Sequence, residues 1–341
     1  MKTIRWGIIG CGDVTEVKSG PSFQKIKYSE LVAVMRRNDQ KAADYAKRHR
    51  VQKWYNDADK LINDPDVDAI YIATPPHYHM YYTLKAAKIK KPVYVEKPMA
   101  RTFSECQKMI KSCDEAGIPL FTAYYRRSLP LFLKVKELLD NNQIGNVRFV
   151  KITLYQPPMP GDYDTYNLPW RVIPEISGGG YFVDLASHTL DILDFLIGPI
   201  SKVFGLADNQ AKLYPAEDIV SAIFTFSNGT IGMGFWYFTA SKQVDIVEIV
   251  GNHGKITFST FMNKPVTLKI KGSEKSYEFR RPQYIQQPHI QSIVNELNGI
   301  GKCPSDGINA ARTSWVIDEI LKEWRTKKGI RFPEQQRDNN I

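Results

Sequence analysis

The chain has 341 residues, 43% hydrophobic and 24% charged, with a formal net charge of +10; that is more than one ordinary core serves, so two domains of a soluble globular protein are expected and extensive disorder is not. The basic residues are scattered and form no stripe or nucleic-acid motif, so the charge reads as a solvated surface that tolerates anionic ligands, with neither nucleic acid nor membrane as a partner. No apolar run approaches the ~18 residues of a membrane span. The opening MKTIRWGIIGCG lacks the apolar run of a signal peptide. Cys11, Cys106, Cys113 and Cys303 show no CxxC pairing, which reads as reduced thiols of a cytoplasmic protein.

Through residue 123, short apolar runs alternate with amphipathic helical patterns, as in a parallel, doubly wound sheet. Strands are predicted at 4–9, 31–35, 69–73, 92–95 and 119–122. The segments DQKAADYAKRH, HYHMYYTLKAAKI and TFSECQKMIKSCDEAG read as helices. The last has Thr102 and Glu105 at capping-box spacing and stops near Gly117. From residue 124 longer alternating segments predict an antiparallel sheet: 146–156, a hairpin over 218–240 turning at Asn228-Gly229, then DIVEIVGNHGKITFSTF and VTLKIKGSEKSYEFRR. Two late helices, 285–300 and 306–327, precede the polar tail EQQRDNNI. The expected division is 1–123 and 124–341, two closely packed domains with helix 306–327 set against the first.

The first strand ends in GIIGCGDVTE, where Gly10 allows a tight turn and Gly12 allows backbone approach to a pyrophosphate. Gly10, Cys11, Gly12, Asp13 and Val14 are therefore candidate dinucleotide contacts, with Thr15 in place of a third glycine. The second strand ends in Arg36-Arg37, where an NAD site would carry an acid; guanidinium groups there match a 2′-phosphate and favour NADP, while Asp39 keeps NAD open. Thr74, Pro75 and His79 of ATPPHYH follow a strand end, as does the Glu96-Lys97 pair of VYVEKPMA, and all five are candidate cofactor contacts. His77 and His79 form an HxH pair with no third ligand at a recognisable spacing, so no metal is expected.

Three glycines at 178–180 lead into a helix in which Asp184, His188 and Asp191 share one face and Leu185, Ile192, Phe195 and Leu196 the other. That polar face is either solvated or lines a site. Tyr125, Arg127, Trp170 and Arg171 are further candidate substrate contacts.

In this order, GIIGCG, EKP at 96–98 and GGGYFVDLASHTLD at 178–191 resemble the Gfo/Idh/MocA family of oxidoreductases. The resemblance implies an α/β fold, with an N-terminal Rossmann dinucleotide-binding domain and a C-terminal α/β substrate domain built on a large, mainly antiparallel open sheet. It implies hydride transfer between NADP or NAD and a hydroxyl or carbonyl of a sugar, sugar derivative or cyclic polyol. Lys97 matches the active-site lysine, and Asp184 and His188 match the acid and histidine that complete the site and touch substrate. A cis bond before Pro98 and a homodimer or homotetramer through the open sheet are further implications. Thr15 and Arg36-Arg37 depart from the common pattern, the latter towards NADP. A cofactor-dependent glycosidase and an NADP-binding regulator without turnover are the competing functions; the presence of Lys97, Asp184 and His188 speaks against the regulator.

Overall fold

The computed structural model describes residues 1–333, and the predicted polar tail lies outside the described residues. Contacts gather Met1–Leu129 and Pro282–Ala311 into one unit and Pro130–Arg281 with Arg312–Pro333 into another. The first unit is thus discontinuous, and its second piece comes from well beyond residue 124.

In the first unit six parallel strands run β1 (Ile4–Ile9), β2 (Ser29–Met35), β3 (Lys53–Tyr55), β4 (Ala69–Ile72), β5 (Val93–Val95) and β6 (Leu120–Thr122). Their spatial order is β3-β2-β1-β4-β5-β6, so the winding reverses between β1 and β4. Every residue of β4, β5 and β6 is buried, as expected of strands covered on both faces. Strand β3 has no apolar run to announce it: Lys53, Trp54 and Tyr55 are all partly or wholly exposed at the sheet edge. The returning helix Gln287–Leu297 sends Ile290, Ile293 and Val294 into the core beside Trp6, Phe23 and Tyr94.

Helix Phe103–Ala116 starts and stops where its sequence signals lie, with Gly117 at φ 67°. Only half of the capping box forms. The Thr102 hydroxyl accepts from the Glu105 amide at 3.2 Å, but the Glu105 carboxylate accepts from the Arg101 amide at 3.0 Å and pairs with the buried Arg101 guanidinium.

The second unit holds β7 (Val147–Tyr155), β8 (Ile200–Asp208), β9 (Ile219–Phe226), β10 (Ile231–Tyr237), β11 (Val244–Gly251), β12 (Gly254–Phe258), β13 (Val266–Ile270) and β14 (Ser273–Tyr277). These form one sheet ordered β14-β13-β12-β11-β7-β10-β9-β8, antiparallel except for β7 beside β10. The β9–β10 hairpin turns at Gly229, φ 85°, as the Asn-Gly pair predicts. Alternation leaves Val220, Ala222, Phe224, Phe226 and Trp236 buried on one face, where the Phe182 ring lies 5.0 Å from Trp236. The opposite face is apolar and exposed: Phe204, Ile223 and Met233 stand side by side across β8, β9 and β10. The late helix runs Gly307–Lys328; Ala310 and Ala311 pack into the first unit, and Arg312 onward belongs to the second.

Candidate active site

At the end of β1, Gly10 has φ +91°, and a Cβ there would lie 2.9 Å from Thr74 Cγ2 and 3.0 Å from the Ala73 carbonyl carbon. A Cβ on Gly12 would meet nothing within 4 Å, so this backbone is open to a ligand. The helix that follows is only Asp13–Val17, so the anion-binding contribution comes from one turn of amides. Thr15 is buried; its hydroxyl donates to the Gly12 carbonyl at 2.7 Å, and its own carbonyl accepts from Tyr45 at 2.9 Å. It therefore braces the turn where a third glycine is expected. Cys11 is buried, which pushes its thiol up to about 11.

The two arginines after β2 diverge. Arg36 Nη1 donates to the Cys11 carbonyl at 3.2 Å, holding its guanidinium against the glycine turn. Arg37 is exposed, its Cζ 5.7 Å from the centre of the Tyr78 ring, beside a cavity of about 350 Å³ also lined by Met35, Asn56 and Tyr82. Asp39 is the first residue of helix Asp39–His49, which Asn38 caps by accepting from the Lys41 amide at 2.9 Å.

Two cofactor candidates take a different role from the one expected. Glu96 is buried with its carboxylate turned inward: Oε1 accepts from the Tyr71 hydroxyl and from Gln286 Nε2, each at 2.6 Å, and Oε2 accepts from the Lys97 amide at 3.1 Å. Gln286 is fixed in turn by the Tyr94 hydroxyl, which donates to its Oε1 at 2.7 Å. His79 is buried, with Nδ1 3.0 Å from the Pro98 carbonyl and Nε2 2.7 Å from that of Thr74, and burial pushes its pKa down. Neither side chain is offered to a cofactor: Glu96 supports the Lys97 peptide from below, and His79 ties the loop after β4 to the loop after β5. The Lys97-Pro98 bond is cis.

Tyr125 and Arg127 lie in the single turn Tyr125–Ser128, and both are buried. Arg127 Nη1 donates to the Pro304 carbonyl at 3.2 Å. The burial follows from the returning segment, which local sequence does not reveal and which packs against this turn.

In the second unit the stretch 174–197 is not one helix. Pro174–Ser177 forms a single turn ended by Gly178 at φ 92°; Phe182–Ala186 is a π-helical turn; only Ser187–Ile197 is α-helical. A constant 100° per residue therefore does not carry through Asp184. The solvated-face reading also falls: His188 and Asp191 are buried, whereas Leu185 and Phe195, expected to face the core, are half-buried. Asp184 lies 3.4 Å from Arg171 Nε, and the Arg171 guanidinium sits over the Trp170 ring at 4.5 Å. Four candidates are thereby grouped in this unit, with His188 one turn beyond Asp184 and 5.8 Å from the Phe261 ring. A carboxylate, an imidazole, a guanidinium and an aromatic face suit a polyhydroxylated ligand.

Several supporting residues escape a reading of the sequence. Glu217 is fully buried and its Oε1 accepts from the Gly180 amide at 2.7 Å; burial pushes its carboxyl up to about 7. Tyr181 donates to Asp162 at 2.7 Å, and Arg312 clasps Asp194 with two bonds of 2.7 Å. The one available signal was the acidic pair Glu217-Asp218 placed directly before an alternating strand.

A parallel sheet with a glycine turn at its switch point, joined to a second unit bearing acid and base groups, defines a nicotinamide-dinucleotide oxidoreductase. The chain matches the model of the oxidoreductase family with an NAD-binding Rossmann fold over residues 4–124 and that of the GFO/IDH/MocA C-terminal domain over 132–257, and it belongs to the Gfo/Idh/MocA family. It is 39% identical to Oxidoreductase P35 of Formosa agariphila, covering 92% of this chain and 97% of that protein. It is 26% identical to the myo-inositol 2-dehydrogenase of Thermotoga maritima, over 95% and 98%. The fold resembles that of levoglucosan dehydrogenase in complex with NADH and levoglucosan, with a TM-score of 0.82, 21% identity and coverage of 95% and 98%.

Proposed function

We propose that the protein transfers a hydride between a nicotinamide dinucleotide, NADP in preference to NAD, and a hydroxyl or carbonyl carbon of a sugar, sugar derivative or cyclic polyol. The observation that carries this reading is a shared sheet edge. The Gly10–Gly12 turn, Thr74-Pro75 and Lys97 leave the carboxyl ends of the neighbouring strands β1, β4 and β5. Ligands of such sheets bind at that edge, and the open Gly12 backbone fits a pyrophosphate. Kinship with an inositol dehydrogenase and a fold shared with an anhydro-sugar dehydrogenase support the substrate class.

When bound, the dinucleotide supplies the hydride acceptor or donor. Lys97 holds the substrate oxygen and stabilises negative charge as it develops there. His188 takes the hydroxyl proton in oxidation and returns it in reduction, as the general base and acid. Asp184 orients that imidazole or accepts from a second hydroxyl, Trp170 offers a ring face to sugar C–H groups, and Arg171 holds a hydroxyl or carboxylate. Arg36 and Arg37 favour the 2′-phosphate of NADP.

No helix among the described residues is long and apolar enough to cross a membrane. Four buried free thiols suit a reducing compartment, and the cytoplasm is the proposed location. The exposed apolar sheet face supports a homodimer or homotetramer.

The test is a panel of aldoses, ketoses, inositols and anhydro sugars, followed by absorbance of the reduced cofactor. Lys97→Ala and His188→Ala should keep cofactor affinity and lose about a hundredfold or more in turnover. Unchanged rates in both sink the mechanism, and hydrolysis of an aryl glycoside without net cofactor change replaces it with the glycosidase reading.

A further inference from the structure

Behind the glycines of residues 178–180 lies a carboxyl group that the proposed reaction does not use. Glu217 has no solvent exposure, and its Oε2 has no hydrogen-bond partner among the described residues. Its Oε1 accepts from the Gly180 amide at 2.7 Å, while the Gly180 carbonyl accepts from the Asp184 amide at 3.2 Å. Gly180 is thus gripped by Glu217 on one side and leads directly into the π-helical turn on the other. The fit is close: a Cβ on Gly179 would lie 3.0 Å from Glu217 Oε1 and 2.4 Å from Val183 Cγ2, and a Cβ on Gly180 would lie 2.8 Å from the Glu217 carbonyl oxygen. π-helical turns are uncommon and occur frequently at functional sites.

The charged and titratable groups around Glu217 are few. Arg325 is a cation that bears on it electrostatically, but one end of that guanidinium donates to the Gly178 carbonyl at 2.8 Å and the other to Asp318 at 2.5 Å. The Asp218 carboxylate is occupied by the amides of Gln210 and Ala211 at 2.9 and 2.7 Å. Tyr214 is buried beside Glu217, and the Tyr181 hydroxyl belongs to Asp162. A carboxyl so enclosed, with one oxygen assigned to a single backbone amide, acts on that amide.

We propose that Glu217 is a positioning residue, fixing the start of the π-helical turn through the Gly180 amide and so setting where Asp184 and His188 project. The proposal rests on the reading of those two residues as working groups. The carboxyl needs no charge to do this, because a neutral side-chain carbonyl still accepts the amide. Glu217→Gln therefore keeps the contact, whereas Glu217→Leu fills the volume and removes it.

Hydrogen exchange on the full-length protein reads the local effect. The Gly180 and Asp184 amides should exchange at least about tenfold faster in Glu217→Leu and at the wild-type rate in Glu217→Gln. Turnover of whichever of myo-inositol, levoglucosan and L-sorbose reacts fastest should fall about thirtyfold in Glu217→Leu, through kcat with KM little changed, and recover in Glu217→Gln. NADPH affinity, a property of the other unit, should hold in both. If His188→Ala is inactive while Glu217→Leu leaves either exchange or kcat unchanged, the proposal is overturned and the reading of the site survives. If His188→Ala turns over normally, that reading falls and takes the catalytic half of the proposal with it.

Discussion

Replacing Tyr71 by Phe removes one O–H group and little else. The ring is fully buried, stacked on Tyr94 at 4.7 Å and tilted against Phe23 at 5.3 Å, and Phe keeps both contacts. What disappears is a 2.6 Å bond to a buried carboxylate, together with a 3.0 Å contact to Ser19 Oγ; among the described residues Glu96 keeps Gln286 Nε2 at 2.6 Å and the Lys97 amide at 3.1 Å. A hydrogen bond to a charged group contributes about 1.5–3 kcal/mol, so a loss of about 2 kcal/mol is expected, near thirtyfold in the folding equilibrium. Tyr94→Phe is the internal control, because its hydroxyl donates to the neutral Gln286 amide oxygen at 2.7 Å and should cost about 1 kcal/mol. Burial, followed by the Glu96 charge, pushes both hydroxyls well above the usual tyrosine range, so both remain donors and the two losses should stay flat between about pH 6 and 9. Equilibrium unfolding in urea measures both. A Tyr71→Phe cost below about 0.5 kcal/mol, or one smaller than that of Tyr94→Phe, refutes the view that Glu96 is a buried anion held by its donors.

Glu217→Gln should raise stability at alkaline pH. Burial lifts the Glu217 carboxyl from its ordinary 4.5 to about 7, so the folded chain binds this proton more tightly than the unfolded one. The associated stability is complete below pH 4.5 and lost as pH rises to about 7, which makes Glu217→Gln up to about 3 kcal/mol more stable than wild type at pH 8 and equal to it at pH 4; thermal melts at the two pH values check this. Arg36→Ala or Arg37→Ala should remove a preference for NADPH over NADH of about ten- to a hundredfold in fluorescence titration, the worth of a charge-assisted pair, and equal binding before mutation would end the NADP assignment. Ile223→Lys with Met233→Lys places two like charges in the centre of the exposed apolar face and should leave a folded monomer in light scattering, where the proposed assembly through that face gives wild type the mass of a dimer or tetramer.

What the sequence makes legible follows from how local each cause is. The glycine turn, the Asn228-Gly229 hairpin and the Thr102 cap are set by neighbours a few residues apart, and each lies where its signal predicts. Strand β3 was missed because Lys53, Trp54 and Tyr55 form an exposed edge with no apolar run. The roles of Glu96 and Arg127 depend on Gln286 and Pro304, which are 190 and 177 residues away along the chain. The π-helical turn departs from the fixed helical period because its backbone is set by Glu217 and three glycines. Spacing along the chain sets the acids and the histidine close together, but burial of His188 and Asp191 depends on packing from distant segments.

That burial also sorts the carboxylates of this segment by purpose. Asp194 lies in the last turn of helix Ser187–Ile197, where a negative charge opposes the helix dipole, and it is held by Arg312 through two bonds of 2.7 Å with its own side chain 6% exposed. Such a bidentate pair is satisfied within the fold, and breaking it would leave a buried charge. Asp184 has a different cationic neighbour: Arg171 Nε at 3.4 Å, whose side chain is 45% exposed. Holding a long, half-solvated side chain at that distance contributes little, so a ligand hydroxyl that reaches either group replaces the contact at small cost. A structural acid would be paired as Asp194 is. The exposed Arg171 beside Asp184, next to an aromatic face and one turn before a buried histidine, fits the proposed site, where protein contacts give way to substrate contacts.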